Sequence, residues 1–95
     1  MIDFIIINKG GKKFCTYYSN KIEGVSYEVK PSIHLYFVYF KDQYSYNRRH
    51  RHGERVCDCD NIEQARKFIA VHEAKTIALY NYYDAIDENY YYQQE

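Results

Sequence analysis

The sequence predicts an α+β domain: a mainly antiparallel sheet of about five strands with one helix, residues 61–73, packed on one face. Three observations predict it. Ile62, Ala65, Ile69 and His72 recur at 3-4-3 spacing, with Phe68 widening the same stripe. Gly10-Gly11 separates two short apolar runs, as in a hairpin. Thr76, Ile77, Ala78, Leu79 and Tyr80 form an apolar run straight after the helical stripe, which reads as a central strand covered on both faces.

Taken in order, residues 4–8 and 12–18 flank the glycine pair, which accepts positive φ in a two-residue loop. That turn sets Ile7 opposite Phe14 and Ile5 opposite Thr16, and leaves Phe4 and Ile6 with Cys15 and Tyr17 on the other face. Cys15 is expected to be a small core residue. Lys9, Lys12 and Lys13 decorate the tip. Residues 19–24 read as a turn. Val25, Tyr27 and Val29 alternate with Ser26, Glu28 and Lys30, the pattern of a half-exposed strand. Pro31 punctuates, Ser32 opens the next strand, and residues 33–40 are apolar enough on both faces to sit mid-sheet. His34 there is expected to be a hydrogen-bonded structural histidine.

Polar composition returns at Lys41. Residues 48–55 are the most charged stretch, with four arginines (Arg48, Arg49, Arg51, Arg55) against Glu54 alone. Residues 56–59 read as a short returning strand. Asp60 is the expected N-cap, with Glu63 three residues on completing a capping box at the positive end of the helix dipole. Residues 84–95 carry four acids and no base, together with Tyr90, Tyr91 and Tyr92. This acidic, Tyr-rich tail is expected either to fray or to dock its rings on the sheet.

The whole, residues 1–95, reads as a single domain, without repeat or linker. Formal net charge is +0, which removes a global field toward nucleic acid or membrane. Three cysteines, an odd number, argue against a closed disulfide framework and for a reducing, cytoplasmic setting. No signal-like segment and no membrane-length apolar stretch is present. Thirteen tyrosines with no tryptophan suit half-buried strands and contact surfaces.

Four chemistries merit weighing. His50-x-His52 with Cys57-x-Cys59 offers two imidazoles and two thiols. A tight turn at Gly53-Glu54 would set His50 opposite Cys57 with all four on one face, a donor set suited to zinc. The spacing is not that of a zinc knuckle, so the expectation is no metal and no cofactor. Cys59, just before the helix, has the position of an activated thiol. No oriented base accompanies it, and no phosphate cradle or nucleophile elbow occurs, so the chain is expected not to be an enzyme. Tyr44 and Tyr46 before the arginine cluster offer stacking and phosphate contacts, the direct nucleic-acid reading.

The reading preferred on these grounds is a protein-interaction module. Arg48, Arg49, Arg51 and Arg55 would meet an acidic partner, with Tyr90, Tyr91 and Tyr92 as anchors. The tail and the basic loop would also complement each other within the chain or across a homodimer. In size and style the chain resembles the small proteins of phages and mobile elements, among them inhibitors of host defence such as anti-CRISPR proteins. That resemblance implies stoichiometric blocking of a host protein or ribonucleoprotein complex that handles nucleic acid.

Overall fold

The computed structural model describes residues 2–45 and 49–93, with backbone alone from residue 87. Five strands form one sheet: β1 (Ile5–Lys9), β2 (Lys12–Tyr18), β3 (Ser26–Pro31), β4 (Tyr36–Lys41) and β5 (Glu54–Cys59), followed by the helix α1 (Ile62–Gln93). Strand order follows chain order, β1-β2-β3-β4-β5, and every neighbour is antiparallel. The α+β architecture with one helix on one sheet is therefore present. Ile5 pairs with Thr16 and Ile7 with Phe14, as the glycine turn requires. Gly10 and Gly11 take φ of 57° and 77°, the left-handed region that glycine enters without a Cβ clash.

The core lies between sheet and helix. Cys15 and Tyr17 from β2, Tyr27 and Val29 from β3, Val38 and Phe40 from β4 and Cys59 from β5 face Ala65 and Ile69 of α1. Ile2 closes the cluster from the N-terminal segment. The alternation in β3 is what the sequence predicts, Tyr27 and Val29 inward and Glu28 outward.

The helix departs from expectation at both ends. Its cap is Asn61, not Asp60: Asn61 Oδ1 accepts the Gln64 N–H at 2.9 Å, and Gln64 Oε1 accepts the Asp60 N–H at 2.9 Å. Asn61 and Gln64 have capping-box spacing, but Gln64 reaches the N–H of the residue before the cap instead of the cap's own. More consequentially, residues 76–80 are not a strand. They continue α1 without interruption. The chain has no Gly, Pro or turn residue there to break the helix, and Ala74, Ala78 and Leu79 are good helix formers. His72, Thr76 and Tyr80 repeat every four residues and so extend the sheet-facing side. The Thr76 hydroxyl donates to the His72 carbonyl at 2.8 Å, which satisfies a β-branched polar residue inside the helix. At the backbone level residues 84–93 belong to the same helix.

The 33–40 strand is also shorter than expected. Pro31 ends β3 opposite Tyr36, and the Ser32 N–H donates to the Leu35 carbonyl at 2.7 Å, so 32–35 is a turn. Ile33 is 84 % exposed. His34 is exposed in that turn and is not a core histidine.

Candidate partner-binding site

The site begins with a mismatch of widths. A helix with its side chains is about 10–12 Å across. Five strands about 4.8 Å apart place the outer two about 19 Å apart. One helix cannot cover such a sheet. Here α1 lies over β3, β4 and β5. The inner face of β2 meets only the rim of α1, where Tyr17 reaches Glu73, and Ile2 and Phe4 join the same cluster, with the Arg66 guanidinium 4.8 Å from the Phe4 ring centre and donating to the Ile2 carbonyl. Nothing reaches β1.

Consequently Ile5, Ile6 and Ile7 are 56 %, 50 % and 53 % exposed. Ile5 and Ile7 point to the open face of the sheet and Ile6 to the helix side, so the strand is apolar and wet on both faces. It is also an edge strand, whose outer rim of backbone donors and acceptors has no strand neighbour in the sheet. Ile6 lies on the same face as Cys15, as the glycine turn predicts, but at β1 that face is uncovered. The signal that finds it is the count of one helix for five strands, together with three successive isoleucines.

The rest of the open face is different. Lys30 Nζ sits 5.0 Å from the Tyr39 ring centre and pairs with Glu28 at 3.4 Å. Arg55 lies 4.8 Å from the Phe37 ring centre and pairs with Asp58 at 3.8 Å. Cations cover these rings, so the β3–β5 part of the face is charged and solvated. Arg55, expected in the basic loop, belongs to this surface.

The basic loop itself follows β4. Arg49, His50, Arg51, His52 and Gly53 line a shallow hollow of ≈ 520 Å³. Arg49 takes φ of 64°, a left-handed backbone. Arg48 and Tyr46 lie outside the described residues, as do the side chains of Tyr90, Tyr91 and Tyr92. The structure therefore brings Arg49 and Arg51 together and sets Arg55 apart.

His50 does not face Cys57. Cys57 pairs with Val38, and Glu54 with Phe40, so the tight His–Cys hairpin does not form. Among the described residues no group of three or more His, Cys, Asp or Glu side chains gathers to hold a metal ion. Cys59 is not an activated thiol. Burial first, and the adjoining Cys57 thiol second, push it up to about 12.

A groove of ≈ 820 Å³ separates the helix from the 42–54 loop, with His72, Thr76, Tyr80, Asp42 and Glu54 in its wall. His72 Nδ1 lies 2.6 Å from the Tyr27 hydroxyl. Burial first, against a smaller opposing hydrogen bond from Thr76 and with the Glu73 charge adding to it, holds the Tyr27 pKa well above the ordinary value and keeps the phenol protonated. A protonated phenol can donate or accept, so it bonds Nδ1 in either tautomer of the ring. Burial also lowers the His72 pKa below 6.5, aided by the Lys75 charge and opposed by Glu54. Tyr80 bonds Asp42, Thr76 bonds the His72 carbonyl and His72 bonds Tyr27, which makes the groove a pinned seam between helix and loop.

Comparison with known proteins gave no match: no protein-family model fits, and neither curated proteins nor solved structures match. No helix among the described residues is long and apolar enough to cross a membrane.

Proposed function

We propose that this protein is a non-enzymatic interaction module that binds another protein by strand addition along β1. The observation that carries the reading is the exposure of Ile5, Ile6 and Ile7 on both faces of an edge strand. Strand addition uses the unpaired backbone rim for affinity and alternate side chains for specificity. Isoleucines on both faces give a partner strand and its flanking residues apolar surface on either side. The lysines Lys9, Lys12 and Lys13 at the hairpin tip discourage indiscriminate edge-to-edge pairing.

Within that reading, the class suggested by size and style is a phage-type inhibitor that occupies a surface of a host nucleic-acid-handling complex. Direct nucleic-acid binding is the second reading, favoured by the gathering of Arg49, Arg51, His50 and His52 around one hollow.

Affinity capture from host lysate, with and without nuclease, separates the two when wild type and Ile6→Lys are compared. A charge on the uncovered side of an edge strand blocks strand addition. A protein partner that survives nuclease and is lost with Ile6→Lys supports the proposal. A partner that disappears with nuclease supports the second reading and overturns the first.

A further inference from the structure

β5 is the opposite edge of the sheet, and it carries Cys57 and Cys59. Side chains two residues apart in a strand are about 6.8 Å apart at their roots. Yet Cys57 Sγ and Cys59 Sγ approach to 3.5 Å, both thiols free. The two side chains are turned toward each other on the helix side of the sheet. A register shift lies immediately before them: Val38 pairs with Cys57 but Tyr39 pairs with Arg55, so Val56 is bulged out. A bulge loosens the ladder and permits the strand to contract. Cys59 is buried and Cys57 is half-buried, so solvent reaches the pair through Cys57. The third cysteine, Cys15, is buried on β2.

We propose that Cys57 and Cys59 form a thiol modification site that a small-molecule disulfide oxidises to an intramolecular disulfide. The reaction has two steps. The Cys57 thiolate attacks one sulfur of the small disulfide, whose S–S bond breaks, and the departing thiolate takes a proton from water. Cys59 then loses its proton to water and its sulfur attacks Cys57 Sγ, expelling the second small thiolate, which is protonated in turn. Two protein thiols are oxidised and one small disulfide is reduced to two thiols. The roles follow from accessibility: Cys57 is the attacking thiol and Cys59 the resolving one. Burial holds Cys59 as a thiol, so it reacts only once a mixed disulfide sits beside it. Closing from 3.5 Å to a bond of about 2.05 Å contracts β5 locally.

Oxidised glutathione is the probe, and peptide mass spectrometry with thiol titration of the full chain is the readout. In wild type, free thiols are expected to fall from three to one, with a Cys57–Cys59 link that a dithiol reductant reverses. Cys59→Ser is expected to stop at a stable glutathione adduct on Cys57, and Cys57→Ser to leave Cys59 unmodified over the same time. Wild type that stays fully reduced, that keeps an unresolved adduct, or that links through Cys15 overturns the proposal. So does an adduct formed as fast on Cys59 in Cys57→Ser as on Cys57 in Cys59→Ser. The wild-type result stands alone if either variant folds poorly.

Discussion

The hydroxyl of Tyr80 donates to Oδ2 of Asp42 at 2.6 Å, tying the middle of α1 to the chain where it leaves β4. Asp42 is buried, and its other oxygen accepts the Tyr44 N–H at 3.0 Å and the Ser45 hydroxyl at 3.2 Å. One carboxyl thus organises the start of the basic loop and fastens it to the helix. Tyr80→Phe removes one charge-assisted donor from a buried carboxylate. It is expected to lower unfolding free energy by about 1–3 kcal/mol in urea titration. Faster amide exchange at Tyr44 and Ser45 should accompany the loss.

A second tyrosine fastens the other side of the helix. Tyr17 donates to Glu73 Oε2 at 2.6 Å, and Lys21 Nζ lies 3.8 Å from Oε1. The Glu73 side chain is 3 % exposed but that of Lys21 is 64 % exposed, so water weakens the ion pair far more than the hydrogen bond. Tyr17→Phe is expected to destabilise by about 1–3 kcal/mol. Lys21→Ala should destabilise by less than about 1 kcal/mol. Denaturant midpoints of the two variants check the order, and a larger loss for Lys21→Ala would show that charge, not the hydroxyl, holds Glu73.

His72 makes stability depend on pH. Its pKa is lowered on folding, so below 6.5 the unfolded chain binds the proton more readily than the folded one. The stabilising contribution is therefore complete above pH 6.5. It is lost as pH falls from there toward the lower folded-state value. His72→Gln offers the Tyr27 hydroxyl an amide in place of the ring, without the titration. Unfolding free energy measured across this range should slope upward with pH in wild type and more shallowly in the variant.

Ile6 is half exposed and contributes little to the core, so Ile6→Lys is expected to change stability by no more than about 0.5 kcal/mol. The same substitution should abolish partner capture. Thermal melts and capture on one preparation check both halves. A variant that melts as wild type yet still captures the partner removes β1 from the interface.

Much of this architecture is legible in the residues. Gly10-Gly11 fixes the first hairpin and its register, and Tyr27 and Val29 announce the buried side of β3 by alternation alone. The helix start is legible to within one residue, because Asp60 and Asn61 are both good caps and only the bonds of Gln64 decide between them. The run from Thr76 to Tyr80 misleads because a short apolar stretch has no period of its own. What separates helix from strand there lies outside the run itself: Thr76 bonds back to His72 one turn earlier, and Tyr80 makes the tertiary bond to Asp42. Residues 33–40 mislead for a related reason, since Pro31 turns the chain and spends Ile33 and His34 on a tight bend. The arginines were conspicuous by charge, whereas the isoleucines of β1 look like core until the width of one helix is set against five strands.

Amide exchange on the free protein and on its captured complex decides whether β1 is the edge that receives the partner. Residues 4–8 are expected to gain protection on binding, while the 49–53 loop and the Lys30–Tyr39 part of the open face do not change. Added protection confined to the loop or to that face, with β1 exchanging as freely as before, would contradict it.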